Sequence, residues 1–210
     1  MLSFPDIYKK NFAVFKKLNS PSKIQDFINK IPVNFEPEGK TCNSPLTVLK
    51  NNKAHCMEGA VLAAACFWYN GKPPLLLDLK TYKDDDHVVA LFKENGRWGA
   101  VSKTNHAVLR YRDPIFKTVR ELALSYFNEY FLTSSGAKTM RSYSVTFSLL
   151  QYDDDWLVSE KDIWRIPEEL DDSRHFKIFP SGTRLRPADP VEIEAGKITE
   201  WKRKYSRLRK

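Results

Sequence analysis

Cysteine is scarce in this chain of 210 residues: Cys42, Cys56 and Cys66 are the three it has. An odd number with no paired spacing argues against a disulfide framework and favours a reducing compartment. Long hydrophobic runs are also lacking. The apolar stretch at 60–69 ends at Asn70-Gly71, well short of the roughly 20 residues a membrane span needs. The start, Met1-Leu2-Ser3-Phe4-Pro5-Asp6, has no basic segment leading into an apolar one, so no secretory leader is expected. There is no internal repeat and no low-complexity tract. Two acidic triplets, Asp84-Asp85-Asp86 and Asp153-Asp154-Asp155, lack the alternating spacing of a calcium loop. The expectation is therefore a cytoplasmic protein that uses no membrane, metal or cofactor.

What is present is an ordinary core and a basic surface. Hydrophobic residues make up 42% and aromatic residues 13%, enough to pack one domain of this length. The formal charge of +8 makes the surface attractive to anions but carries no information about fold. Much of it sits in a tail at 197–210, where Lys197, Lys202, Arg203, Lys204, Arg207, Arg209 and Lys210 face only Glu200. Trp201 and Tyr205 lie among those charges, an arrangement that permits stacking on bases. No recognised nucleic-acid motif accompanies them, so an anionic partner is the expectation and nucleic acid is not.

Periodicity divides the chain. Residues 6–18 read as a weak amphipathic helix, and Ser20-Pro21 opens a second one. Proline, glycine and asparagine across 33–53 predict loop. The run Cys56–Ala65 reads as an apolar helix ending at Asn70-Gly71. Leu75–Leu79 is a short buried strand. Asn95-Gly96 between two apolar segments, 87–93 and 97–102, is the strongest hairpin signal in the chain. Asp113-Pro114 predicts the start of a long helix reaching Ser134. From 140 onward the aromatic residues, Trp156, Trp164 and Phe176 among them, read as short strands. The sum is an α+β fold: residues 1–140 a core with N-terminal helices, 141–196 a β-rich extension of the same globule, 197–210 the basic tail.

Two residues stand out chemically. Cys56 begins a helix, where the dipole and unpaired N–H groups favour thiolate. A free thiol titrates near ~8.5 and falls to roughly 3.5–7.5 in such places. His87 begins a strand, and an imidazole beside a thiolate is the minimal unit of cysteine nucleophilic catalysis. The order Cys-helix, strand, His-hairpin, with the segment His87-Val88-Val89-Ala90-Leu91-Phe92-Lys93-Glu94-Asn95-Gly96-Arg97-Trp98-Gly99-Ala100-Val101-Ser102, resembles the transglutaminase-like superfamily within the papain-like cysteine enzymes. The resemblance covers about residues 50–105. It implies a Cys-bearing helix packed on a mostly antiparallel sheet and acyl transfer from a peptide or amide substrate.

The family ends its hairpin with Asp, and this chain has Ser102 there. Counting from Asn95-Gly96, Glu94 faces Arg97, Ser102 faces Val89, and Ser102 is a diagonal neighbour of His87. Asn105 is the other candidate to orient the ring, reaching it only through a bulge. An oxyanion would be held by the Cys56 N–H and by His55 as a side-chain donor. The same departure from Asp leaves open a second reading, a catalytically weak or inactive binding protein for an anionic or protein partner.

Overall fold

The computed structural model describes residues 3–202. Helix α1 (Pro21–Lys30) starts where Ser20 accepts a hydrogen bond from the Lys23 N–H at 3.3 Å. Ser44 caps α2 (Pro45–Asn51) in the same way, accepting from Thr47. Both are serine caps followed by proline, whose missing N–H costs nothing in a first turn. Thus α2 interrupts the expected loop, on a signal outweighed by the asparagines, prolines and glycine around it. Residues 6–18 depart from expectation too, forming 3-10 turns at Asp6–Tyr8 and Ala13–Lys17. Phe12, Phe15 and Leu18 are all buried, and a step of three is the repeat of a 3-10 helix, not an α-helix.

Helix α3 (Cys56–Tyr69) is buried from Met57 through Trp68, as a helix apolar on every side must be. Strands β1 (Leu75–Thr81), β2 (His87–Glu94) and β3 (Arg97–Ser102) follow. Asn95 and Gly96 both adopt positive φ, as a two-residue hairpin turn of matching twist requires. The register is the counted one, Glu94 opposite Arg97 and Val89 opposite Ser102.

Asp113-Pro114 does not start a helix. It lies in β4 (Arg112–Phe116), which pairs with β3 at the sheet edge, where proline is tolerated. Helix α4 (Val119–Ser125) begins instead at Thr118, whose side chain accepts from Glu121. Three short strands, β5 (Met140–Ser144), β6 (Phe147–Ser148) and β7 (His175–Lys177), complete the sheet. Its order is β4-β3-β2-β1-β5-β7, with β6 also on β1, and every pairing is antiparallel.

The stretch 141–196 is less β-rich than expected, because α5 (Arg165–Asp172) and α6 (Pro190–Lys197) also form in it. Trp156 lies in a 3-10 turn and Trp164 precedes α5. These tryptophans are not pleat residues; Trp156 stacks on Trp68 of α3 at 6.0 Å between ring centres.

The sheet separates two apolar clusters. Leu76, Val88, Ala90 and Phe92 pack with α1 and α3, whereas Leu77, Leu79, Val89 and Leu91 pack with Leu122, Tyr126 and Tyr130. This odd–even alternation is the period of a strand covered on both faces. Among the described residues no helix is long and apolar enough to cross a membrane. Lys197 and Lys202 of the basic tail are described; Arg203, Lys204, Arg207, Arg209 and Lys210 lie outside the described residues.

Candidate active site

Cys56 is the first residue of α3, so its N–H has no partner within the helix. The residue is half-buried, whereas Cys42 and Cys66 are buried. It opens on a cavity of about 380 Å³ whose walls include His87, Lys103, Asp85, Tyr130 and Phe131. Burial pushes the Cys66 thiol up to about 12. At Cys56 burial acts in the same direction, but the nearby His55 and then His87 rings outweigh it, and the thiol falls to about 6. Cys56 and His87, 31 positions apart in sequence, line the same cavity.

Ser102 determines how the His87 ring is used. Its Oγ lies 2.8 Å from His87 Nε2 and 2.6 Å from the Leu109 carbonyl oxygen. A carbonyl only accepts, so the single hydroxyl proton of Ser102 goes to Leu109. The Ser102 oxygen must then accept from Nε2–H. This selects the Nε2–H tautomer and leaves Nδ1 as the unprotonated ring nitrogen, the state a general base requires. Ser102 is itself held by Gln25 of α1, whose amide accepts from the Ser102 N–H at 2.9 Å and donates to its carbonyl at 2.8 Å.

Asn105 does not orient the ring. Its side chain pairs with the backbone of Trp201, donating at 3.0 Å and accepting at 2.8 Å. Strand β3 ends at Ser102, and the bulge that would have turned Asn105 inward does not form.

His55 sits at the helix cap and offers no ring donor to the cavity. Nε2 lies 2.8 Å from the Thr41 carbonyl, and Nδ1 accepts from the Met57 N–H at 3.2 Å. Charge and geometry pull differently here. Burial resists protonation, but Cys56 and then Glu58 overcome it and lift the ring to about 9. An Nδ1 that accepts from the Met57 N–H carries no proton, so protonating the ring, which Cys56 and Glu58 favour, gives up that cap bond. Of the expected oxyanion pair, the Cys56 N–H alone is left unengaged by these contacts.

Glu58 organises the turn that leads into α3. It is fully buried and accepts from the His55 N–H at 2.9 Å, the Thr41 hydroxyl at 2.9 Å and the Asn43 N–H at 3.0 Å. Burial would raise its pKa, but His55 and these donors bring it below the usual carboxylate value. With His55 it closes a capping box, a pattern visible in sequence as a cap residue followed three positions later by Glu. No local sequence signal identifies Gln25, Leu109 or Glu129, which reach the site only through tertiary contact.

Gly59 lies in the next position of α3. A Cβ there would stand 2.4 Å from Lys103 Cβ, so the glycine admits Lys103 across the helix. The Lys103 ammonium reaches the Ile28 and Ile31 carbonyls at the end of α1, and burial lowers its pKa to about 8.

The acidic triplet is tied into the fold. Asp86 accepts from the Thr81 N–H at 2.6 Å, Asp84 from the Thr139 hydroxyl at 2.8 Å, and the Asp85 carbonyl from Tyr130 at 2.7 Å. Carboxylate oxygens of Asp78, Asp86 and Asp171 come within 4.8 Å of one another. Two basic side chains already serve that group: Lys80 pairs with Asp171, and His175 meets Asp78 at 3.0 Å. No protein-family model matches this sequence, and no curated protein matches it either.

Proposed function

We propose that this chain is a cysteine-dependent acyl-transfer enzyme of transglutaminase-like type, acting on a peptide or amide and needing no cofactor. The observation that carries the reading is the Leu109–Ser102–His87 hydrogen-bond chain, which frees Nδ1 of a ring lining the same cavity as the Cys56 thiol. His87 takes the thiol proton, and the Cys56 sulfur attacks the carbonyl carbon. The Cys56 N–H at the helix start receives the developing oxyanion. As the C–N bond breaks, the imidazolium gives its proton to the leaving amine, and a thioester remains on Cys56. Water then yields the acid, or an amine yields a new amide, with His87 again removing the nucleophile's proton.

Alkylation of Cys56 by iodoacetamide, followed against pH, tests this. The rate should rise through a pH of about 6, and His87→Ala should move that rise toward the free-thiol value of ~8.5. A wild-type thiol that titrates near the free value, unmoved by His87→Ala, would overturn the reading.

A second reading rests on the neutral Ser102 where a carboxylate would help stabilise imidazolium: a binding protein built on the same fold for an anionic or protein partner. It predicts no turnover of any amide panel despite normal alkylation, and partner binding that persists in Cys56→Ala.

A further inference from the structure

The deepest departure from a Cys–His–Asp arrangement is that, among the described residues, no carboxylate is hydrogen-bonded to His87 Nε2. Ser102 takes that place, and a serine can turn either its lone pair or its proton toward the ring. What removes the choice is the Leu109 carbonyl at 2.6 Å. Leu109 itself is an anomaly, with φ at +61°, a left-handed conformation that a leucine adopts only when its surroundings impose it.

The imposing contact is Glu129. Its Oε2 accepts from the Leu109 N–H at 2.7 Å, and its Oε1 lies 2.8 Å from the Arg112 guanidinium. Arg112 is fixed in turn: its Nε donates to Ser125 Oγ at 2.9 Å, and its guanidinium lies 4.1 Å above the Tyr126 ring. Tyr126 is fully buried, and its hydroxyl donates to the Arg110 carbonyl at 3.0 Å. A carboxylate anchored to the second core cluster thereby holds the backbone that holds the serine that holds the ring.

We propose that Glu129 is a positioning residue for His87, acting through Leu109 and Ser102 to supply the orientation that a directly bonded carboxylate would otherwise give. Paired with Arg112, it contributes geometry rather than negative charge at the ring. The proposal rests on the reading of Cys56 and His87 given above.

The test is the pH profile of Cys56 alkylation in Glu129→Ala, Ser102→Ala, the double variant, and Glu129→Ala/Leu109→Gly. Other groups that face the ring or its cavity, Cys56 of α3 and the cap residue His55 before it, the loop 84–86, Lys103 and His106 after β3, and Tyr130, are unchanged in these variants. Glu129→Ala should slow alkylation at pH 6.5 about tenfold, as misorientation of a reacting group does, and shift the profile upward as Ser102→Ala does. Because the two act in series, the double variant should be no slower than Ser102→Ala alone. Leu109→Gly should restore the Glu129→Ala profile, since glycine occupies positive φ without imposed strain.

A wild-type profile in Glu129→Ala, additive losses in the double variant, or no restoration by glycine would each overturn the inference while leaving the Cys56–His87 pair standing. A wild-type thiol indifferent to His87→Ala would overturn both. If Glu129→Ala fails to fold by circular dichroism, Glu129→Gln is read in its place. It keeps an acceptor oxygen and loses the ion pair, so the expected shift is smaller and in the same direction, and none at all overturns the inference.

Discussion

Glu58 shows how a single side chain can be both structural and local to the chemistry. It is a buried carboxylate that accepts from two backbone N–H groups and a hydroxyl, and it lies two residues from Cys56. Replacing it with glutamine turns an acceptor toward those donors into a donor, which should cost about 3 kcal/mol at pH 7. Its folded-state pKa lies below the usual carboxylate value. The stabilisation is therefore complete above the unfolded value of ~4.3 and is lost as pH falls through the lowered folded value. Urea unfolding from pH 7 down to pH 3 should show the gap between wild type and Glu58→Gln narrowing in acid. A gap that stays constant would remove Glu58 from this role.

Among the elements, β3 carries the most weight for function relative to its length. Its pairing with β2 brings Ser102 diagonal to His87, but the pairing with β4 has ended by Ala100. Beyond that point the N–H and C=O of Ser102 are satisfied by the Gln25 amide from α1. Gln25→Ala would leave two buried backbone groups unpaired, a cost of about 2 kcal/mol. It should also broaden the position of Ser102 and slow Cys56 alkylation near pH 6.5. Paired chemical denaturation and alkylation measurements check this; a loss of stability with an unchanged alkylation profile would confine Gln25 to the fold.

For the whole molecule, the sheet decides how the chain is divided. Strands β5, β6 and β7 come from the C-terminal third yet extend the sheet of β1 and β2. Trp156 stacks on Trp68 of the central helix, and Ser159 accepts hydrogen bonds from Ser44 and Thr47 of the N-terminal part. The residues after 140 join both clusters that the sheet separates rather than building one of their own. Unfolding should accordingly be one cooperative transition, with tryptophan fluorescence and far-ultraviolet circular dichroism giving coincident midpoints. Two separated midpoints would indicate an independent C-terminal unit.

Local chemistry was enough to place Cys56 at a helix start, the Asn95-Gly96 hairpin, and the register that makes Ser102 a neighbour of His87. Each of these depends on residues close in sequence, through caps, turns and the period of a strand. Where two local signals competed, sequence alone chose badly: Asp113-Pro114 suggested a helix start, and the edge of a sheet made it a strand. Tertiary structure alone decided that Asn105 belongs to Trp201, that the His55 ring is used up by Thr41 and Met57, and that the imidazole answers to Ser102, Leu109 and Glu129. Those choices turn on single protons and on a backbone conformation that leucine does not adopt unaided. Only packing, which brings a carboxylate from 20 residues further along the chain to one N–H, can make them.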